Sequence, residues 1–252
     1  MKHLLIMILL FLPFQLFGFN FKSISADYEV SYGVIGVVGL AHADLTIEDG
    51  TYKVRIKAEG KGMTKFLSRG REEVYESTGI IKNGKFVPNL FVKNRAWGSK
   101  EERKRYFFNH DKKEVIIVKT NVDGNKVTES REKLAYYADN DILTLFFNLD
   151  YLIGEDLAPQ KKVTLYAVGA NGKDGHLTVE MPQGKQKDEI KSLLQRDINL
   201  LIVVLNQKLF YSKKGELFVN ITDDGICDRV IVKDVVMYGD VIGKMKNFKF
   251  EK

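Results

Sequence analysis

The sequence predicts a mainly β protein built on a strongly curved antiparallel sheet or an open β-barrel, with one apolar helix packed on or in its concave face. Three observations carry the prediction. Short segments alternate strictly between apolar and polar residues, Asn-Gly or Asp-Gly pairs fall between them, and a single segment follows a helical apolar pattern instead.

The first two dozen residues stand apart from this pattern. Met1-Lys2-His3 is followed by an apolar run from Leu4 to Phe17 and then by small and polar residues. A cationic start, a greasy core and the small-x-small pair Ser23 and Ser25 are the marks of a secretory signal peptide. The run is about 14 residues, short of the roughly 20 a membrane-spanning helix needs. The leader is expected over 1–25, cut after Gly18 or Ser25, with an uncleaved inner-membrane anchor as the alternative. No cysteine lies near either cut, so an N-terminal lipid anchor is excluded. The expected address is the periplasm, with 26–252 forming a single β-rich envelope domain.

Composition fits a folded domain: 44% apolar and 29% charged residues. The net charge of +6 drops to +4 once Lys2 and Lys22 leave with the leader, a mild basicity that suits contact with anionic head groups and that scattered surface lysines explain equally well. Cys227 is the only cysteine, so no internal disulfide forms, and it reads as a small buried hydrophobe. His3, His42, His110 and His176 show no metal-ligand spacing.

In the N-terminal group, about 27–135, Tyr28, Val30 and Tyr32 alternate with Glu29 and Ser31. Tyr52, Val54, Ile56 and Ala58 alternate with Lys53, Arg55 and Lys57. Successive strand residues point to opposite faces, so each segment has one buried and one wet face. Asp49-Gly50, Asn83-Gly84 and Asp123-Gly124 supply the left-handed backbone that tight hairpins need. The glycines of 33–39 and Gly60-Lys61-Gly62 read as sheet bends or bulges. Neither is expected to lead into the helix, lysine and hydroxyl of a phosphate loop. The charged runs Arg69–Glu73 and Glu101–Arg105 read as solvated strand edges, and export argues against nucleic acid as the partner of the aromatics beside them.

From Asp141 to Ile153 the chain is apolar on nearly every side, with Asp141, Thr144 and Asn148 as a narrow polar stripe at helical spacing. Asp139 or Asn140 is expected to cap this helix and Gly154 to end it. A helix so apolar must be covered almost all round. It is too short to span a membrane, and no transmembrane span is expected in the mature chain.

The C-terminal group, about 160–250, repeats the alternation at Leu177, Val179 and Met181 against His176, Thr178 and Glu180. Asn171-Gly172, Lys214-Gly215 and Asp224-Gly225 are further hairpin signals. A weaker helix is expected over Gln186–Gln195, then a strand buried on both faces over Ile198–Leu205. Leu217, Val219 and Ile221 are expected to pair with Val230–Met237.

The opening YEVSYGVIGVVGLAHADLTIEDGTYKVRIKAEGKGMTKFL, Pro88 before a strand, Asp141–Phe147 and the closing DDGICDRVIVKDVVMYGDVIGKM resemble the exported bacterial family named domain of unknown function 3108. That family's central helix usually runs on to an arginine, where this chain has Asn148-Leu149-Asp150, and its closing segment often holds a proline where Cys227 or Asp228 stands. The resemblance implies an envelope β-fold curved like lipocalins or lipoprotein-carrier half-barrels. It brings no established activity, catalytic residue or cofactor.

The sequence supports no argument for a Ser-His-Asp or Cys-His arrangement, and Asp123-Gly124-Asn125 and Asp223-Asp224-Gly225 lack the ligand series of a calcium loop. The chain is therefore expected not to be an enzyme. One constellation remains. Phe91, Lys93, Arg95 and Trp97 share a parity on one strand, Tyr106 and Phe108 on the next, and Phe146, Phe147 and Tyr151 lie on the apolar helix. Ordinary core packing is one reading. The other is a cavity for a lipid or acyl chain, lined by these aromatics, with Lys93 or Arg95 for an anionic head group. A structural role, binding another envelope protein through a sheet edge, is the alternative function.

Overall fold

The computed structural model describes residues 22–149, 152, 162–170, 173–197, 199–205, 215–222, 226–235 and 239–251. The expected cleavage at Gly18, the turns at Asn171-Gly172 and Asp224-Gly225, Lys214, Tyr151 and Gly154 lie outside these residues.

Fourteen strands form one antiparallel sheet: β1 (Ser23–Tyr32), β2 (Gly36–Glu48), β3 (Thr51–Gly60), β4 (Glu72–Lys82), β5 (Lys85–Trp97), β6 (Lys100–Asn109), β7 (Glu114–Asp123), β8 (Lys126–Lys133), β9 (Lys162–Tyr166), β10 (His176–Glu180), β11 (Leu200–Leu205), β12 (Glu216–Ile221), β13 (Cys227–Val235) and β14 (Gly239–Glu251). Their order is β8-β7-β6-β5-β4-β3-β2-β1-β14-β13-β12-β11-β10-β9. Two meanders thus meet where β1 pairs with β14, and the sheet is not closed, since β8 and β9 remain as edges.

The alternation read from the sequence is the burial pattern. Tyr28, Val30, Tyr32, Tyr52, Val54, Ile56 and Ala58 are all buried, while their neighbours stay at least partly wet. Asp49-Gly50 and Asn83-Gly84 turn with positive φ at both positions, as two-residue hairpins require. Pro88 lies inside β5 rather than before it. Its missing N–H is accommodated by an irregularity in the β4–β5 register at Thr78/Gly79. A side chain at Gly79 would come within 2.0 Å of the Val87 carbonyl oxygen, so only glycine fits there.

Three α-helices are described: α1 (Met63–Leu67), α2 (Ile142–Phe147) and α3 (Gly184–Leu194). All six residues of α2 are buried against the sheet's inner face. Its cap is Asp141 itself and neither Asp139 nor Asn140, because the Asp141 carboxylate reaches two free N–H groups of the first turn. α3 covers the opposite face over β11–β13, and Ile190, Leu194, Leu200, Ile202, Phe218 and Ile231 form a second small core there. β11 is therefore buried on both faces. A helix does follow Gly60-Lys61-Gly62, but α1 is only five residues long.

The sheet is rolled. Gly169, just after edge strand β9, lies against Phe91 of β5, although ten places separate these strands in the sheet order. Residues 140–147, which follow β8 and include α2, lie in this interior, where the Val168 N–H bonds to Asn140 O and the Ile142 N–H bonds to Val168 O. No helix among the described residues is long and apolar enough to cross a membrane.

Candidate functional site

The inner face changes character from β3 to β6. On β3 it presents Val54, Ile56 and Ala58, all fully buried. On β4 the same rows become Ser77, Tyr75 and Glu73, on β5 Phe91, Lys93 and Arg95, and on β6 Tyr106, Lys104 and Glu102. The Lys93–Lys104 row ends on Lys119 of β7.

Glu73 is the electrostatic centre of this region and is 0% exposed. One carboxylate oxygen accepts from Arg71 Nε at 3.0 Å and Nη2 at 2.6 Å, the other from the Tyr75 hydroxyl at 2.7 Å. Arg95 Nε lies 3.3 Å from the same carboxylate, yet it is buried without a hydrogen bond of its own. The expectation that Arg69–Glu73 is a solvated edge is therefore corrected for Arg71 and Glu73. They satisfy each other, which lets a charged pair occupy the buried parity of β4. Glu101–Arg105 likewise lies on β6, an interior strand, with Glu102 and Lys104 turned inward beside Lys93 and Arg95.

Lys93 and Lys104 sit directly opposite each other, and neither has a carboxylate within ion-pair distance among the described residues. Lys93 Nζ instead lies 5.0 Å from the centre of the Tyr75 ring. Lys119 is ion-paired with Glu132. Burial, reinforced by the nearby Arg95 charge, pushes the Lys93 ammonium down to about 7, and the same two causes lower Lys104. Like charges opposed across a strand pair are unfavourable. Four cations, Arg71, Lys93, Arg95 and Lys104, here face two carboxylates, Glu73 and Glu102.

Aromatic side chains bracket this patch. Phe91 and Tyr106 are opposed and stacked at 5.5 Å, both buried, and burial raises the Tyr106 hydroxyl to about 12. Trp97 ends β5 with the Arg71 guanidinium 5.9 Å over its ring. The other aromatics singled out in the sequence go elsewhere. Phe108 stacks on His110, whose Nε2 donates to Pro88 O at 2.7 Å. Phe147 stacks on Phe86 at 4.8 Å, and Phe146 is buried in the same core, so α2 now fills that part of the interior.

The polar stripe of α2 is its attachment. Asp141 Oδ1 accepts from the N–H groups of Leu143 at 2.8 Å and Thr144 at 3.0 Å, and Oδ2 accepts from the Ser77 hydroxyl at 2.6 Å. Burial lifts the Asp141 carboxyl to about 6. Asn148 accepts from Phe86 N–H at 2.8 Å and donates to Phe86 O at 2.7 Å and to Asn140 at 2.6 Å. Ser77 thus links the α2 cap to the strand that carries Tyr75 and Glu73.

Glu73, Tyr75, Arg71 and Lys104 escaped sequence reasoning. Parity was the available signal, since 71, 73 and 75 share one face with Ser77, and 104 shares one with Tyr106. The charges concealed it, because charged runs usually mark a wet face. Cys227 is buried, and burial pushes its thiol well up, so it behaves as an inert core residue. Among the described residues no three His, Cys, Asp or Glu side chains gather as a metal site. A family model described as "Protein of unknown function (DUF3108)" matches residues 27–246. No curated protein and no solved structure matches the chain.

Proposed function

The chain belongs to this family of unknown function, DUF3108, and on that premise we propose that it is an exported periplasmic, non-enzymatic binder of an amphipathic anion such as a lipid or acyl chain. The observation that supports the reading most is the pair Lys93 and Lys104, opposed without carboxylate partners beside Arg95 on the inner face. A folded protein gains nothing from such opposition, whereas an anionic head group relieves it and leaves the stacked Phe91–Tyr106 pair beside the first carbons of a tail. The rolled sheet then works as lipocalins or lipoprotein-carrier half-barrels do. A tail takes space by displacing α2, and each methylene buried contributes about 0.8 kcal/mol. Release is the reverse, with α2 re-docking through Asp141 and Asn148. A leader ending at Gly18 leaves β1 whole, whereas one ending at Ser25 removes three residues paired on both sides.

Delipidated protein incubated with an envelope lipid extract should retain an anionic amphiphile in native mass spectrometry, and K93E/K104E should retain none. An apo spectrum for both proteins contradicts the reading. A second reading, assembly with another envelope protein, draws on β8, an edge strand exposed along its whole length. Its Lys126, Glu129, Arg131, Glu132 and Lys133 side chains are also those that deter strand addition, which favours the first reading.

A further inference from the structure

The connections at the two ends of β1–β4 differ in kind. At one end Asp49-Gly50 and Asn83-Gly84 are tight polar turns. At the other, the chain uses residues 61–71 to join β3 to β4, where a two-residue turn would close the hairpin. That connection holds α1, and its Met63 and Phe66 are 73% and 78% exposed, the two most exposed large apolar side chains among the described residues. Ile35, 61% exposed, lies in the β1–β2 connection of the same end, and the Lys61 N–H bonds to Val38 O near the start of β2, which carries the β2–β3 pairing up to that end. Exposed apolar side chains gathered at one place carry a cost that single scattered ones do not.

Charge identifies what covers them. Residues 60–71 hold Lys61, Lys65, Arg69 and Arg71 and no acid. Arg71 is turned inward to Glu73, but the other three are exposed. Lys61 and Lys65 reach Glu29 and Glu59 only at 3.9 and 3.6 Å, as exposed pairs that hold them weakly, and Arg69 has no ion pair among the described residues. Apolar tips ringed by cations match a bilayer interface, where side chains such as Phe and Met enter the acyl boundary and Lys and Arg meet phosphates.

We propose that this end of the sheet docks on an anionic phospholipid surface, Met63, Phe66 and Ile35 entering the head-group layer and Lys61, Lys65 and Arg69 contacting its phosphates. Docking is separate from ligand binding on the inner face. The purified mature chain is tested by flotation with phosphatidylcholine vesicles, with and without phosphatidylglycerol. The wild type should float with the phosphatidylglycerol vesicles and lose most binding at high salt. M63D/F66D should bind at least tenfold more weakly, and K65E/R69E should lose about fivefold or more per charge. I80D, at the polar end, should float as the wild type does. Circular dichroism and thermal midpoints confirm that each variant is folded. Absence of the wild type from anionic vesicles, equal binding to pure phosphatidylcholine, unchanged binding of M63D/F66D, or dimerisation through this end instead of flotation would each overturn the proposal.

Discussion

Lys93 is a cation whose surroundings disfavour its charge. It is held beside Lys104 and Arg95, and its ammonium titrates near 7 because burial and those neighbours oppose protonation. Below pH 7 the folded and unfolded chains both carry the proton, and the full cost of the charge falls on the folded state. Between about 7 and the ordinary lysine value of 10.5 the folded chain releases a proton that the unfolded chain keeps, so this group lets stability rise with pH. Lys93→Met should therefore stabilise the folded chain at pH 6 by about 0.2–1 kcal/mol of relieved repulsion, seen as a higher thermal midpoint, and should raise that midpoint less at pH 9. It should also weaken binding of an anionic amphiphile. A midpoint that drops equally at both pH values contradicts this description of Lys93. The sequence made the shared face of Phe91, Lys93, Arg95 and Trp97 legible, because parity along a strand is geometric. It did not make Glu73 or Lys104 legible, because a buried charge depends on partners from other strands, Arg71 and Arg95 for the one and Lys93 for the other.

Among the elements, α2 carries a polar stripe whose spacing is legible as helical from sequence but whose partners are not. Asp141, Thr144 and Asn148 gave the period away, but they face protein rather than water and fasten the helix at both ends. Asn148 pairs with both backbone groups of Phe86 as a neighbouring strand would. Asn148→Leu should thus leave a buried N–H and C=O unsatisfied and cost about 2–4 kcal/mol in urea unfolding. Asp141 adds a pH dependence of opposite sign to that of Lys93. Between 3.8 and about 6 the folded chain holds a proton that the unfolded chain has released, so its contribution to stability falls as pH rises through that window. Asp141→Asn should flatten the urea midpoint between pH 4 and 6, and a slope identical to the wild type's contradicts the assignment. The helix limits were less legible than its existence, since capping by Asp141 in place of Asp139 or Asn140 turns on one carboxylate reaching two N–H groups.

Taken whole, the molecule is two meanders joined at β1 and β14 and rolled until the segment after β9 lies on β5. The hairpins β2–β3, β4–β5 and β7–β8 were readable from Asp49-Gly50, Asn83-Gly84 and Asp123-Gly124. The pairing of β1 with β14 was not, because strands some 200 residues apart leave no local signal. The cationic row and the Phe91–Tyr106 stack lie on β4–β6, and α2 is seated on β4 and β5 through Ser77 and Phe86, while the β1–β14 pairing brings the segment after β9 onto the same face. Trp97, the only tryptophan, ends β5 on the parity that carries Lys93 and Arg95, with Arg71 over its ring, and reports on that face. The most direct measurement is a titration of Trp97 emission with a single-chain anionic amphiphile and with a neutral amphiphile of equal chain length. A saturable change for the anionic compound alone, lost in K93E/K104E, is the predicted result; no change, or equal changes for both head groups, would contradict the proposed function.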